Sequence, residues 1–134
     1  MTSGGGPLPA AIPTTLVTGP GADAREAAIA RAVALEASGI DTFHPAVILE
    51  GLPSGAAPLD ALADSLQVAR IAPGCLCCTG NVVLRVTLNR LLRQRPGRIF
   101  IGVARSEHLD QLRSWLQAEP YDQLLRLTPD LDAH

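Results

Sequence analysis

The chain contains no lysine. All 11 of its basic residues are arginines, set against 13 acids, and aromatic residues supply only 3% of the 134 positions. A negative formal charge and so few rings for stacking bases argue against a nucleic-acid partner. Long apolar runs are also missing: none approaches the roughly 18 residues that span a bilayer. The opening "MTSGGGPLPAAIP" has neither a positive n-region nor a continuous apolar core, so no membrane partner is expected. Without a span or a signal the expected location is cytoplasmic, and three cysteines, an odd count in a compartment that keeps thiols reduced, argue against a disulfide framework. What is present is an ordinary globular composition, 47% hydrophobic and 18% charged, of a length that suits one domain. The expected organisation is a flexible leader over 1–13, one domain over 14–127 and a tail over 128–134.

Charge is unevenly spread. Between residues 65 and 106 stand seven arginines (Arg70, Arg85, Arg90, Arg93, Arg95, Arg98 and Arg105) and no acid, so all 13 acids lie elsewhere. Such a basic middle either faces an anionic partner or forms a solvated helix face.

The pattern along the chain alternates strand and helix. "TTLVT" over 14–18 is a β-branched run stopped by Gly19-Pro20-Gly21, followed by an alanine-rich helix over 23–38 ended by Gly39. Residues 46–49 read as a second strand, residues 59–66 as a short helical piece and residues 68–71 as a third strand. Leu84, Leu88, Leu91 and Leu92 mark one face of a helix over 84–94, which Pro96-Gly97 ends. A strand over 98–104, a helix marked by Leu109, Leu112 and Leu116, and a last strand over 123–127 complete the order. Strands this apolar, separated by helices, predict an α/β three-layer sandwich with a mostly parallel sheet covered on both faces.

Functional residues in such sheets gather at the carboxyl ends of the strands. The loop "TGPGADARE" follows the first strand, where a P-loop would stand, and its candidate nucleotide-binding residues are Gly19, Gly21 and Arg25. A working P-loop needs a second glycine, a lysine and a hydroxyl at set spacing. None of the three is here, and Asp23 with Glu26 has the spacing of a capping box. Acids at a helix start oppose a phosphate.

The second loop, "GCLCCTG", carries every cysteine: Cys75, Cys77 and Cys78. Thiolates bind Zn²⁺ tetrahedrally, and three of them require a fourth ligand. A following helix N-terminus lowers thiol pKa and favours the metal-binding form. Glu50, at the end of the strand "AVILE", is the first candidate for that ligand and His108 the second, whereas His44 precedes a strand and falls at the opposite end. Cys75 and Cys78 also have the C-x-x-C spacing of a redox pair.

Taken together, the degenerate strand-loop-helix start, "AVILE", and "GCLCCTGNVVLRVTLNRLLRQRPGRIFI" resemble the CobW-type P-loop GTPases, the zinc-linked metallochaperone branch related to the nickel-insertion GTPases. The resemblance spans residues 14–117 and implies a P-loop NTPase-like fold. It implies that Cys75, Cys77 and Cys78 match the family's metal-binding cysteines and that Glu50 matches its switch-region acid. It also exposes departures. Where the family's Walker A ends in G-K-T, this chain has Ala24, Arg25 and Glu26. Gly102 and "VARSEH" stand where the Walker B strand of the family leads into a glutamate and a small-residue turn, and nothing after Leu127 supplies a guanine-reading motif. The expectation is a shortened relative that binds Zn²⁺ without hydrolysing GTP, its partner a client metalloprotein or a full-length GTPase relative. The alternatives are a GTP- and Mg²⁺-binding metallochaperone with an atypical P-loop, and a thiol redox protein.

Overall fold

The computed structural model describes residues 11–19, 21–37, 45–50, 67–71, 82–94, 96–103, 109–118 and 121–132. The expected helical piece over 59–66 lies outside them, as do the loop "GCLCCTG", His44 and His108.

The chain runs β1 (Ile12–Thr18), α1 (Ala22–Ala37), β2 (Pro45–Glu50), β3 (Gln67–Ile71), α2 (Val82–Leu92), β4 (Arg98–Gly102), α3 (Leu109–Leu116), α4 (Tyr121–Leu124), β5 (Leu125–Leu127) and β6 (Leu131–Asp132). The strands form one sheet in the order β3-β2-β4-β1-β5, with β6 also paired to β1. Every described pairing is parallel. The α/β sandwich expected from the alternation of apolar strands with helices is therefore the fold.

Side-chain alternation divides the core in two. On one face Val17, Val47, Leu49 and Phe100 pack against Ala28, Ile29 and Val33 of α1. On the other, Leu16, Ala46, Ile48, Ile99 and Ile101 pack against Leu84, Leu88 and Leu91 of α2 and Leu112 and Leu116 of α3. Handedness explains the partition. A parallel crossover is right-handed, so the connection that moves outward from β1 to β2 and those that move back from β3 to β4 and from β4 to β5 must take opposite faces. β1 and β4 are neighbours whose outgoing connections run in opposite directions, which makes their carboxyl ends the topological switch point of the sheet.

Four local features differ from expectation. β1 begins at Ile12, inside the stretch read as leader. The stretch read as tail contributes β6. The last strand is shorter than 123–127 because Tyr121–Leu124 forms a helical turn before it. β5 and β6 lie along β1 as one interrupted edge: between the pairs Thr14↔Leu127 and Val17↔Leu131, the outer strand uses one residue more than β1. That is a bulge, and Pro129 can stand in it because an edge position there needs no donor. Thr128 fastens the bulge, its amide donating to the Thr14 carbonyl at 2.9 Å and its hydroxyl meeting that of Thr15.

The fourth difference concerns the start of α1. The Arg25 amide donates to the Gly21 carbonyl at 3.1 Å, so Gly21 is the N-cap and Asp23 lies inside the first turn. The capping box expected from Asp23 and Glu26 does not form; Glu26 turns away to a distant arginine.

Candidate functional site

Position along α1 decides the fate of two adjacent charges. The face that buries Ile29 and Val33 against the sheet continues one turn toward the N-terminus to Arg25 and Glu26, only 4% and 1% exposed. One turn earlier in the helix means further along the strands, so these side chains arrive at the carboxyl edge, where strand-end carbonyls need donors. Arg25 Nη1 donates to the Gly19 carbonyl at 3.1 Å, and Nη2 donates to the Glu50 carbonyl at 3.0 Å. Gly19 follows β1 and Glu50 ends β2, with β4 between those strands. The guanidinium therefore braces the switch point across β4. Its Nε is buried and has no hydrogen-bond partner among the described residues. Burial pushes the Arg25 pKa down, and the charge of Glu50 pushes it back up; a guanidinium remains charged at neutral pH under such a balance.

Glu26 reaches the outer strand. Arg70 of β3 grips it bidentately, Nη1 to Oε1 at 2.9 Å and Nη2 to Oε2 at 3.2 Å. Charge-assisted, fork-on-fork pairing of this kind is directional as well as strong. Arg25 and Glu26 together tie the first turn of α1 to the carboxyl ends of β1, β2 and β3.

β4 supplies the close approach that lets this edge assemble. A Cβ at Gly102 would come within 2.9 Å of Leu49 Cδ2 and 3.8 Å of Ile29 Cδ1. The absence of a side chain there lets β2 and α1 close over the end of β4. Val103 then donates its amide to the Val17 carbonyl at 2.8 Å, holding β1 and β4 together where the loops diverge.

Glu50 is buried, and its register is informative. It pairs with Ile71, the last residue of β3, and residues 72–81 continue from there to α2. Ala46 and Ile48 lie on the α2 side of the sheet, and Val47 and Leu49 on the α1 side. The same alternation assigns position 50 to the α2 side, with Ile71. Sequence reasoning put Glu50 at the same edge of the sheet as the cysteines; the register sets it beside the last residue of β3. Cys75, Cys77, Cys78 and His108 lie outside the described residues; among the described residues no group of three or more His, Cys, Asp or Glu could hold a metal ion.

Of the three residues expected around a nucleotide, Gly19 offers its carbonyl to Arg25, Gly21 caps α1, and Arg25 spends both terminal nitrogens on backbone carbonyls. Sequence reasoning missed Glu26 and Arg70 as a pair. A usable signal existed: Glu26 falls three and seven residues before Ile29 and Val33, on the buried stripe.

Fold and site together define a parallel α/β sandwich whose carboxyl edge is braced by buried charge. No protein-family model, curated protein or solved structure matches the chain. No helix among the described residues is long and apolar enough to cross a membrane.

Proposed function

We propose that the chain binds one Zn²⁺ ion through Cys75, Cys77 and Cys78, with Glu50 as the fourth donor, in a role in metal homeostasis. The observation that supports this reading is the register Glu50↔Ile71: it sets a buried carboxylate beside the strand end from which the cysteine-bearing segment continues, on the side of the sheet toward α2. Three thiolates and a carboxylate form a donor set suited to tetrahedral zinc. The Arg25 hydrogen bond to the Glu50 carbonyl fixes the backbone of that donor, the kind of outer support that metal ligands use. Free thiolates need a reducing compartment, so the cytoplasm is the proposed location, and a client metalloprotein or a larger GTPase relative is the proposed partner. A GTP and Mg²⁺ site has less support because the arginine nearest the would-be phosphate loop is already engaged with the backbone.

The test is competition with a chromophoric chelator on anaerobically purified protein. One tightly bound zinc per chain, lost in Cys77→Ser and weakened at least tenfold in Glu50→Gln, is the expected result. Failure of wild type to compete, or equal affinity in Cys77→Ser, rejects the site. A reversible Cys75–Cys78 disulfide with no zinc affinity would favour the redox reading instead.

A further inference from the structure

The geometry points to the outward face of α2 as a docking surface for an acidic, amphipathic segment of a partner protein. Val83, Val86, Arg90 and Arg93 follow one another at i, i+3, i+7 and i+10, a single stripe about 15 Å long. This stripe faces away from Leu84, Leu88 and Leu91, which enter the core. Val83 is 42% exposed and Val86 61%. Arg90 and Arg93 are exposed and make no ion pair among the described residues. Arg85, on the flank, lies over the Trp115 ring at 5.9 Å, and Asn89 accepts a hydrogen bond from the Tyr121 hydroxyl at 2.8 Å. α3 and α4 thus hold one side of α2 in place and leave the stripe uncovered.

A merely solvated helix face accounts for part of this. Arg90 in the last turn complements the helix dipole. Valine at the middle of a solvent face has no such use: its helix propensity is below that of alanine, lysine or glutamate, and it leaves apolar area in water. The helix brings no counter-charge of its own, since residues 65–106 contain no acid, and neither arginine is ion-paired among the described residues. An occupant must bring carboxylates for the two guanidiniums and small apolar side chains for the two valines. A second copy docking stripe to stripe would oppose arginine to arginine, and a lipid surface would find only two short side chains to bury where membrane-binding helices present Trp, Phe and Leu. An acidic helix or extended segment meets both demands, with Arg forks suited to carboxylate. This inference does not depend on the zinc reading.

The experiment uses the full-length chain and a rhodamine-labelled, 18-residue amphipathic helical peptide with glutamates along one half of its exposed face and leucines beside them. A control peptide carries lysine at every glutamate. Wild type should bind the acidic peptide and not the control, with affinity falling as salt rises. Arg90→Glu/Arg93→Glu and, separately, Val86→Ser should each weaken binding at least tenfold while circular dichroism stays unchanged, because both sites are exposed. Equal affinity in wild type and both variants overturns the proposal, as does failure of wild type to bind. Vesicles containing phosphatidylserine, bound by wild type in place of the peptide, would assign the face to membrane and overturn it; self-association in sedimentation that the double variant abolishes would do so in favour of a second copy.

Discussion

Arg25 and Glu50 meet backbone-first: the guanidinium Nη2 of the helix residue donates to the carbonyl oxygen of the strand residue at 3.0 Å, while its Nη1 holds the Gly19 carbonyl at 3.1 Å. One side chain on α1 so joins the ends of two strands that are not neighbours. The guanidinium thus links the two strand ends directly, alongside the pairing of each strand with β4.

Arg25→Met should lower stability by about 2–4 kcal/mol, because the buried Glu50 carbonyl and the part-buried Gly19 carbonyl lose charged donors. Arg25→Lys should recover only part of the loss, since an ammonium on a longer flexible stem lacks the fork that spans both carbonyls. Urea denaturation with an unchanged m-value measures both. Equal stability of Arg25→Met and wild type would contradict the bracing role.

Glu26→Gln should cost about 2 kcal/mol. Removing one partner of a buried pair costs roughly 3–5 kcal/mol, but Arg70 keeps partial access to water, which reduces the penalty. Arg70→Met in the Glu26→Gln background should add little further, and a double-mutant cycle reads the coupling directly.

Gly102→Ala should destabilise by about 1–3 kcal/mol, the range for overpacking in a close-packed core. The intruding methyl would meet Leu49 Cδ2, so Leu49→Val combined with Gly102→Ala should cost less than the sum of the two single changes. Thermal unfolding of the four proteins is sufficient to decide it.

Tyr121 is the only tyrosine, and the chain has no lysine, so above the cysteine range the alkaline titration isolates one group. Burial raises its pKa above 10.0, outweighing the opposing effects of Arg85 and the Asn89 hydrogen bond. A folded pKa above the unfolded value means the folded chain holds the phenolic proton more tightly. Stability from this group is therefore fully present below pH about 10 and declines as pH rises from there through the folded pKa. Tyr121→Phe should flatten that decline, as followed by denaturant midpoints across pH 9–12.

Two leucines on helices should respond oppositely to the same change. Leu88, fully buried beneath α2, should cost about 2–5 kcal/mol as alanine. Leu35, 80% exposed on α1, should change stability by less than about 0.5 kcal/mol.

The core was legible because its signal is local. Leu84, Leu88 and Leu91 recur at helical spacing, and the near-continuous apolar run of β4 announces a strand covered on both faces; neither needs knowledge of the rest of the chain. The start of α1 was misread for the opposite reason. Asp23 and Glu26 satisfy the spacing of a capping box, but that spacing does not reveal that Glu26 points at the sheet or that an arginine 44 residues away competes for its carboxylate. A bidentate ion pair in a buried setting outweighs a single capping hydrogen bond. Gly102 was likewise seen only as a departure from a motif, because the need for a missing side chain arises from Leu49 and Ile29, both distant in sequence. Of the candidate metal residues, Glu50 could be set at the carboxyl edge from its place at the end of an apolar strand, since parallel strands share one direction.

By itself, then, the sequence determined the order of the longer helices and strands from β1 to α3, the faces they bury and the parallel sense of the sheet, all consequences of apolar periodicity along the chain. Tertiary structure alone decided the strand order, the bulged edge formed by β5 and β6, and the bracing of the carboxyl edge by Arg25, Glu26 and Arg70. The physical reason is range: burial of apolar area is specified residue by residue, whereas a charge finds its place only when folding brings its partner within hydrogen-bonding distance.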